Sequence, residues 1–167
     1  MFYTLSKIHP DDRRGMAQVR ALLEQEGISL DGNLDYTCGL FDENDNLAAT
    51  GSSFGATLRC FAVDRAHQGE GLLNQIVSHL VERLTGQGRT HLFVYTKVST
   101  AKFFQDLGFY EIARVENTLS FLENRKNGFA HFCTRLAQSR TDEPAAAIVM
   151  NANPFTLGHR HLVERAA

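Results

Sequence analysis

The chain contains no tryptophan, and among its 167 residues it has only three prolines and three cysteines. Cys38, Cys60 and Cys133 are widely spaced, with no CxxC pair and no Cys/His ligand pattern. That spacing argues against a zinc site or a disulfide framework and predicts three reduced, mostly buried thiols and no metal centre. Neither sign of charge dominates. Seventeen basic and nineteen acidic residues leave a net charge of -2, too little positive charge to hold nucleic acid or an anionic membrane surface. No apolar run approaches the ~18 residues that a membrane span requires. The opening MFYTLSKIHPDDRR has no secretory h-region. What remains is 43% hydrophobic and 22% charged, the composition of a soluble globular protein with small-molecule or protein partners, expected in the cytoplasm.

Apolar periodicity predicts interleaved strands and helices up to a boundary, then β-α. FYTLSKI reads as the first strand. Pro10 and Asp11 suit the start of a helix carrying Met16, Val19, Leu22 and Leu23. YTCGLFDENDNLAATGSSF reads as two strands around DENDN, and TLRCFAV as the next. In QGEGLLNQIVSHLVERLTGQG, Leu72, Ile76, Leu80 and Leu84 recur every fourth residue, with Leu73, Val77 and Val81 beside them. This is a wide helical stripe closed by Gly86 and Gly88. HLFVYT is apolar on both alternating faces and should be a central buried strand. STAKFFQDLGF is a short helix with Ser99 as candidate N-cap. YEIARV, LSFLEN and FAHFCTRL read as strands, the last two joined by a turn at RKNG. QSRTDEP, residues 138–144, is polar and closed by Pro144, and AAAIVM after it restarts an apolar strand.

Two stretches carry chemistry. The first is TLRCFAVDRAHQGEGLLNQIV, a strand, a two-glycine loop and an amphipathic helix. The first N–H groups of a helix lack intrahelical partners and sit at its positive end, so this junction can hold a phosphate, and glycine lets the phosphate come close. Alone it is equally a plain strand-to-helix turn. The stretch resembles the acyl-CoA site of the GNAT superfamily of N-acyltransferases, with the pattern Q/R-x-x-G-x-G/A. Gln68 and Gly71 match it, and Leu73 stands where a small residue is usual. FFQDLGF is similar to the short helix and Leu-Gly-Phe ending of the same superfamily. The resemblance implies an α/β (α+β) fold with a central mixed sheet flanked by helices over residues 1–137. Phe61, Ala62 and Val63 would pair with a pantetheine arm. The backbone of Gln68, Gly69, Glu70, Gly71, Leu72 and Leu73 would hold its pyrophosphate. Superfamily transferases commonly have a tyrosine acid where Phe104 stands and an asparagine where Lys97 stands. A phenyl ring cannot donate a proton, so the groove is expected to outlast the acetyl-transfer chemistry unless Tyr95 or Tyr110 substitutes.

The second stretch is AAAIVMNANPFTLGHRHLVERA. Asn153, Pro154, Phe155, Thr156, Gly158 and His159 resemble the T/H-x-G-H signature of HIGH-type nucleotidyltransferases, whose parallel α/β sheet binds ATP. Attack on the α-phosphorus builds negative charge that a helix N-terminus, a hydroxyl and an imidazole can stabilise. By the resemblance Thr156 and His159 are the catalytic pair, and Asn153, Pro154, Phe155 and Gly158 bind nucleotide. The bland alternative is a turn shaped by Gly158. His161 reads as a surface histidine.

A GNAT-like domain running directly into NPFTLGH is similar to the citrate lyase ligases. That resemblance implies domains at 1–137 and 145–167 joined by the linker 138–144, the second being only the opening βα unit of a nucleotidyltransferase domain. It implies a front portion of a longer enzyme that uses ATP, with Mg2+, and acetate to make acetyl-AMP. The acetyl group would then pass to the CoA-like prosthetic thiol on the acyl carrier subunit of citrate lyase. The fragment itself is not expected to adenylate acetate. The alternatives are a stand-alone N-acetyltransferase using acetyl-CoA and a non-catalytic module that binds the CoA-like arm.

Overall fold

A computed structural model describes residues 2–140 and 146–167. Residues 141–144 of the expected linker, and residue 145 after them, lie outside the described residues. The chain forms two compact units, Met1–His131 and Phe132–Ala167.

The first unit is built on a seven-stranded sheet. Its strands are β1 (Thr4–Ile8), β2 (Tyr36–Phe41), β3 (Leu47–Phe54), β4 (Thr57–Val63), β5 (Phe93–Thr96), β6 (Tyr110–Val115) and β7 (Leu119–Glu123), in the order β1-β2-β3-β4-β5-β7-β6. Neighbours are antiparallel except β4 and β5, which run parallel. The helices are α1 (Arg13–Gln25), α2 (Leu72–Gly86) and α3 (Val98–Asp106). Asp12 caps α1 by accepting from the Gly15 N–H. The mixed sheet flanked by helices is the expected architecture.

Hydrophobic burial follows the periodicities. In α2, Leu72, Ile76, Val77, Leu80 and Leu84 are buried, each large aliphatic side chain contributing roughly 1.5–3 kcal/mol. In α1, Val19, Leu22 and Leu23 are buried. Residues of β4 divide between the two cores: Leu58 and Phe61 join the α2 cluster, Cys60 and Ala62 the α1 cluster. Adjacent Phe61 and Ala62 point to opposite faces, with the register shift between Arg59 and Ala62 accounting for Leu58 and Cys60 parting, so α1 and α2 cover opposite faces of the sheet. The α2 helix ends with Gly88 at φ 80 and Arg89 N–H returning to the Leu84 carbonyl.

Four expectations need correction. FAHFCTRL is not a strand but most of α4 (Gly128–Ala137), which begins in the first unit and ends in the second. Phe129, Phe132, Cys133 and Leu136 fall at i, i+3, i+4 and i+7, a helical period. The buried Glu123 carboxylate accepts from the Phe129 N–H and starts the helix. Ser99 lies inside α3, whose N-cap is Lys97. HLFVYT is interior to the sheet, yet only one of its faces is buried, since Tyr95 is 37% exposed. Residues 146–150 of AAAIVM form no strand, and Val149 is fully exposed. A strand needs a hydrogen-bonded neighbour, and none of the described residues supplies one. Of the thiols, Cys38 and Cys60 are buried but Cys133 is exposed on α4.

Candidate functional site

Parallel β4 and β5 pair at only two positions, Thr57↔Phe93 and Leu58↔Val94. Beyond them the strands part, and a cavity of about 650 Å³ opens between Arg59–Val63 and Tyr95–Lys97. A β-bulge shapes the β4 wall. Thr50 faces Ala62 and Ser52 faces Arg59, so Cys60 and Phe61 together oppose Gly51. Cys60 takes the left-handed conformation, φ 56. Gly51 makes room for the Phe61 ring: a Cβ there would lie 2.8 Å from it and 2.5 Å from Ile76.

At one end of the cavity the chain leaves β4 through a short 3-10 turn (Arg65–His67), begun by Asp64 accepting from the Ala66 N–H at 2.8 Å. It then enters α2 through Gly69 at φ 87 and Gly71 at φ 74. Both conformations disfavour any residue with a Cβ. Gln68, Gly69, Gly71, Leu72 and Leu73 line the cavity here, as Phe61, Ala62 and Val63 do along β4. The helix-start N–H groups supply the partial positive charge an anion needs. Glu70 is not among the lining residues. Its carboxylate accepts a 2.6 Å hydrogen bond from the Tyr3 hydroxyl, which also meets His67 Nδ1 at 2.7 Å. Desolvation, then the hydrogen bond to the Glu70 carboxylate, pushes the Tyr3 hydroxyl up to about 12.

The cavity wall also carries residues the sequence reading did not single out as ligands. Glu26 and Asp31 come from the segment after α1, Arg59 from β4, Thr118 from the β6–β7 turn and Leu119 from the start of β7. Arg59 Nη1 donates to Asp31 at 2.9 Å. Lys97 Nζ donates to the Glu26 carbonyl oxygen and lies 3.6 Å from its carboxylate. The legible signal was Arg59, a charged residue inside an otherwise apolar strand. Cys60 also lines the cavity, and burial pushes its thiol upward.

Phe104 is fully buried, its ring 5.3 Å from Phe61, 5.3 Å from Phe103 and 6.0 Å from Phe109. It is core, not cavity wall. Tyr95 does line the cavity, while Tyr110 stands on the outer strand β6.

In the second unit, α5 (Leu157–Ala166) begins at Thr156. The Thr156 N–H donates to His159 Nδ1 at 3.0 Å, and the Thr156 hydroxyl lies 2.9 Å from the same nitrogen. A ring nitrogen that accepts carries no proton, so the neutral imidazole keeps its proton on Nε2 as an outward donor. Phe155 is exposed with its ring 5.7 Å from His159. A Cβ at Gly158 would meet only the Thr156 hydroxyl at an ordinary 3.7 Å, so none of the described residues demands glycine there. Asn153, Pro154 and His161 are exposed around them. Among the described residues no cluster of His, Cys, Asp or Glu could hold a metal ion. No described helix is long and apolar enough to cross a membrane.

Residues 145–167 match the family model of the citrate lyase ligase C-terminal domain. A citrate [pro-3S]-lyase ligase of Haemophilus influenzae is 33% identical over 93% of this chain and 47% of its own length. Its Klebsiella pneumoniae counterpart is 35% identical over 93% and 46%. Over nearly its whole length the chain is similar to citrate lyase ligases. It spans about half the length of these curated relatives. The fold has separate parallels. A GNAT-family acetyltransferase of Staphylococcus aureus superposes with TM-score 0.60 at 11% identity, over 73% of this chain and 98% of that one. The ribosomal-protein-S18-alanine N-acetyltransferase of Escherichia coli gives 0.58 at 16%, over 73% and 91%. The first unit therefore has the fold of the GNAT N-acyltransferases.

Proposed function

We propose that this chain is the front portion of an ATP-dependent, AMP-forming ligase that acetylates the prosthetic-group thiol of the citrate lyase acyl carrier subunit. The similarity to citrate lyase ligases across both units carries this reading. An acetate oxygen attacks the α-phosphorus of ATP, the bond to the departing pyrophosphate breaks, and acetyl-AMP forms. The carrier thiolate then attacks the acetyl carbonyl, and AMP leaves with the bonding pair. Thr156 and the Nε2–H of His159, at the start of α5, would stabilise charge on the phosphoryl oxygens. Asn153, Pro154, Phe155 and Gly158 would shape the nucleotide's approach. Mg2+ would arrive with the triphosphate.

The first unit's role in this reading is to hold the CoA-like arm. The pyrophosphate would sit on the backbone from Gln68 to Leu73, and the pantetheine along Phe61–Val63. Glu70 would contribute only its N–H, since its side chain is turned to Tyr3. The enzyme would work in the cytoplasm.

The test separates the two half-reactions in the full-length ligase. Deleting residues 1–137 should leave acetate-dependent ATP–pyrophosphate exchange while abolishing acetylation of the carrier. Carrier acetylation at the undiminished rate after that deletion would overturn the assigned role of the first unit. Pyrophosphate exchange unaffected by His159→Ala would overturn the assigned ATP site.

A further inference from the structure

His67 closes the 3-10 turn after β4 and lines the cavity just before the glycine loop. Its Nδ1 lies 2.7 Å from the Tyr3 hydroxyl oxygen. That hydroxyl gives its single proton to the Glu70 carboxylate, which can only accept, at 2.6 Å. The proton in the contact with His67 must therefore sit on Nδ1, which donates to Tyr3. Tyr3 itself stays protonated near neutral pH, since desolvation and then the Glu70 hydrogen bond push it up to about 12.

The other ring nitrogen is open. Among the described residues Nε2 has no hydrogen-bond partner, while Arg59 Nε is the one buried side-chain nitrogen or oxygen left without one. Nε2 thus keeps accessible surface, although the His67 side chain is only 15% exposed. In a neutral ring with its proton on Nδ1, Nε2 offers a lone pair. A second proton turns it into a charge-assisted donor. Gln68 and Gly69, the next two residues along the cavity wall, open the loop assigned above to the pyrophosphate, so an anion is the group that would meet Nε2. The charged groups facing the ring are both acids. The Glu70 carboxylate is 3.9 Å from Nδ1. Asp42 follows β2, and its carboxyl is held low chiefly by hydrogen bonds from Asn46 and to a small extent by a charge on His67. Tyr3 reaches the ring from β1. A cationic ring here would be paired, not stranded.

We propose that His67 takes up a proton from solvent when the arm binds and donates its Nε2–H to a pyrophosphate oxygen, with Tyr3 as the positioning residue that holds Nδ1–H. This rests on the reading that the first unit binds a CoA-like arm. The bound state then carries one more proton than the free chain, so affinity for the arm rises as pH falls.

The experiment is titration calorimetry of the 167-residue chain with dephospho-CoA at about pH 6 and pH 8, on the unaltered protein, His67→Gln and Tyr3→Phe. Dephospho-CoA is the probe because its pyrophosphate stays fully ionised across this range, so the ligand adds no proton of its own. The unaltered chain should bind roughly tenfold more tightly at the lower pH, by the strength of one hydrogen bond from a charged donor. His67→Gln should bind equally at the two pH values. Tyr3→Phe leaves the loop sequence intact but takes the acceptor from Nδ1–H, and should lose at least half of the gain; it carries the test alone if His67→Gln unfolds. Equal affinity of the unaltered chain at both pH values, or the full gain retained in either variant, overturns the role of His67 while leaving the arm-binding reading intact. No binding of dephospho-CoA to the unaltered chain at either pH overturns both.

Discussion

Gly71→Ala tests whether the glycine loop is shaped by the fold or kept for a ligand. Gly71 is the N-cap of α2 at φ 74, and a Cβ built on it meets nothing within 4 Å. Any loss of stability is therefore backbone strain without a packing contribution, about 1–2 kcal/mol for holding an alanine in the left-handed region. For a chain of this size that is a fall in Tm of roughly 2–8 °C. Asparagine tolerates the same region better, so Gly71→Asn should fall between the two. Thermal unfolding followed by circular dichroism measures this directly. The ligand side is read by calorimetry with CoA. The first N–H groups of α2 are aimed by the residue that starts the helix, so an alanine that escapes strain by rotating Gly71's φ should keep its Tm and lose CoA affinity. An alanine variant that kept both would refute the reasoning, because neither the conformation nor the aim of the helix start would then matter.

Two further perturbations follow from the same geometry. Gly128→Ala places a Cβ 2.5 Å from Glu123 Oε2 and 2.9 Å from the His91 ring. It should displace the buried carboxylate from the Phe129 N–H and from His91 Nε2, 2.6 Å away, costing about 2–4 kcal/mol in urea unfolding; a midpoint equal to the unaltered chain would contradict it. Thiol reactivity should be ordered, with Cys133 modified rapidly by a disulfide reagent near pH 8 and Cys38 and Cys60 slowly. Burial raises the Cys38 thiol to about 12 and the Cys60 thiol in the same direction, so little thiolate of either forms near pH 8 and reaction should quicken as pH rises. Added CoA should slow Cys60, which lines the cavity, and not Cys38; equal protection of the two would count against the arm occupying the cleft.

Much of the first unit could be read from the chain because its elements have clean periods. The four-residue recurrence of Leu72, Ile76, Leu80 and Leu84 became α2, and eight of the nine residues expected around the arm do line one cavity. Glu70 escaped that reading because its side chain is turned away by Tyr3, some 67 positions earlier in sequence, a contact that no local pattern reveals. FAHFCTRL failed for a different reason. It reads as one more strand after LSFLEN, while its i, i+3, i+4, i+7 spacing specifies the helix that formed. The acidic and basic groups of the cavity wall were not legible as a set. Glu26, Asp31, Arg59 and Lys97 come from three separate elements and meet only because β4 and β5 part.

That parting also explains how the groove can persist without the usual acid. The opening between β4 and β5 depends on the bulge at Cys60–Phe61, on Gly51 yielding space to the Phe61 ring, and on the two left-handed glycines. Of these, the Phe61 ring alone touches the side chain at 104, and none needs a hydroxyl there. Phe104 instead supports the groove from behind, packing on Phe61, Phe103 and Phe109 as a fully buried ring. A hydroxyl there would need a partner within the core, whereas phenylalanine stabilises the wall at no such cost. Lys97, likewise, is spent on the Glu26 carbonyl and carboxylate, where it ties the start of α3 to the segment after α1. Phe104 and Lys97, two of the three positions that depart from the GNAT pattern, thus hold the shape of the cleft, as the proposed role of positioning an arm requires.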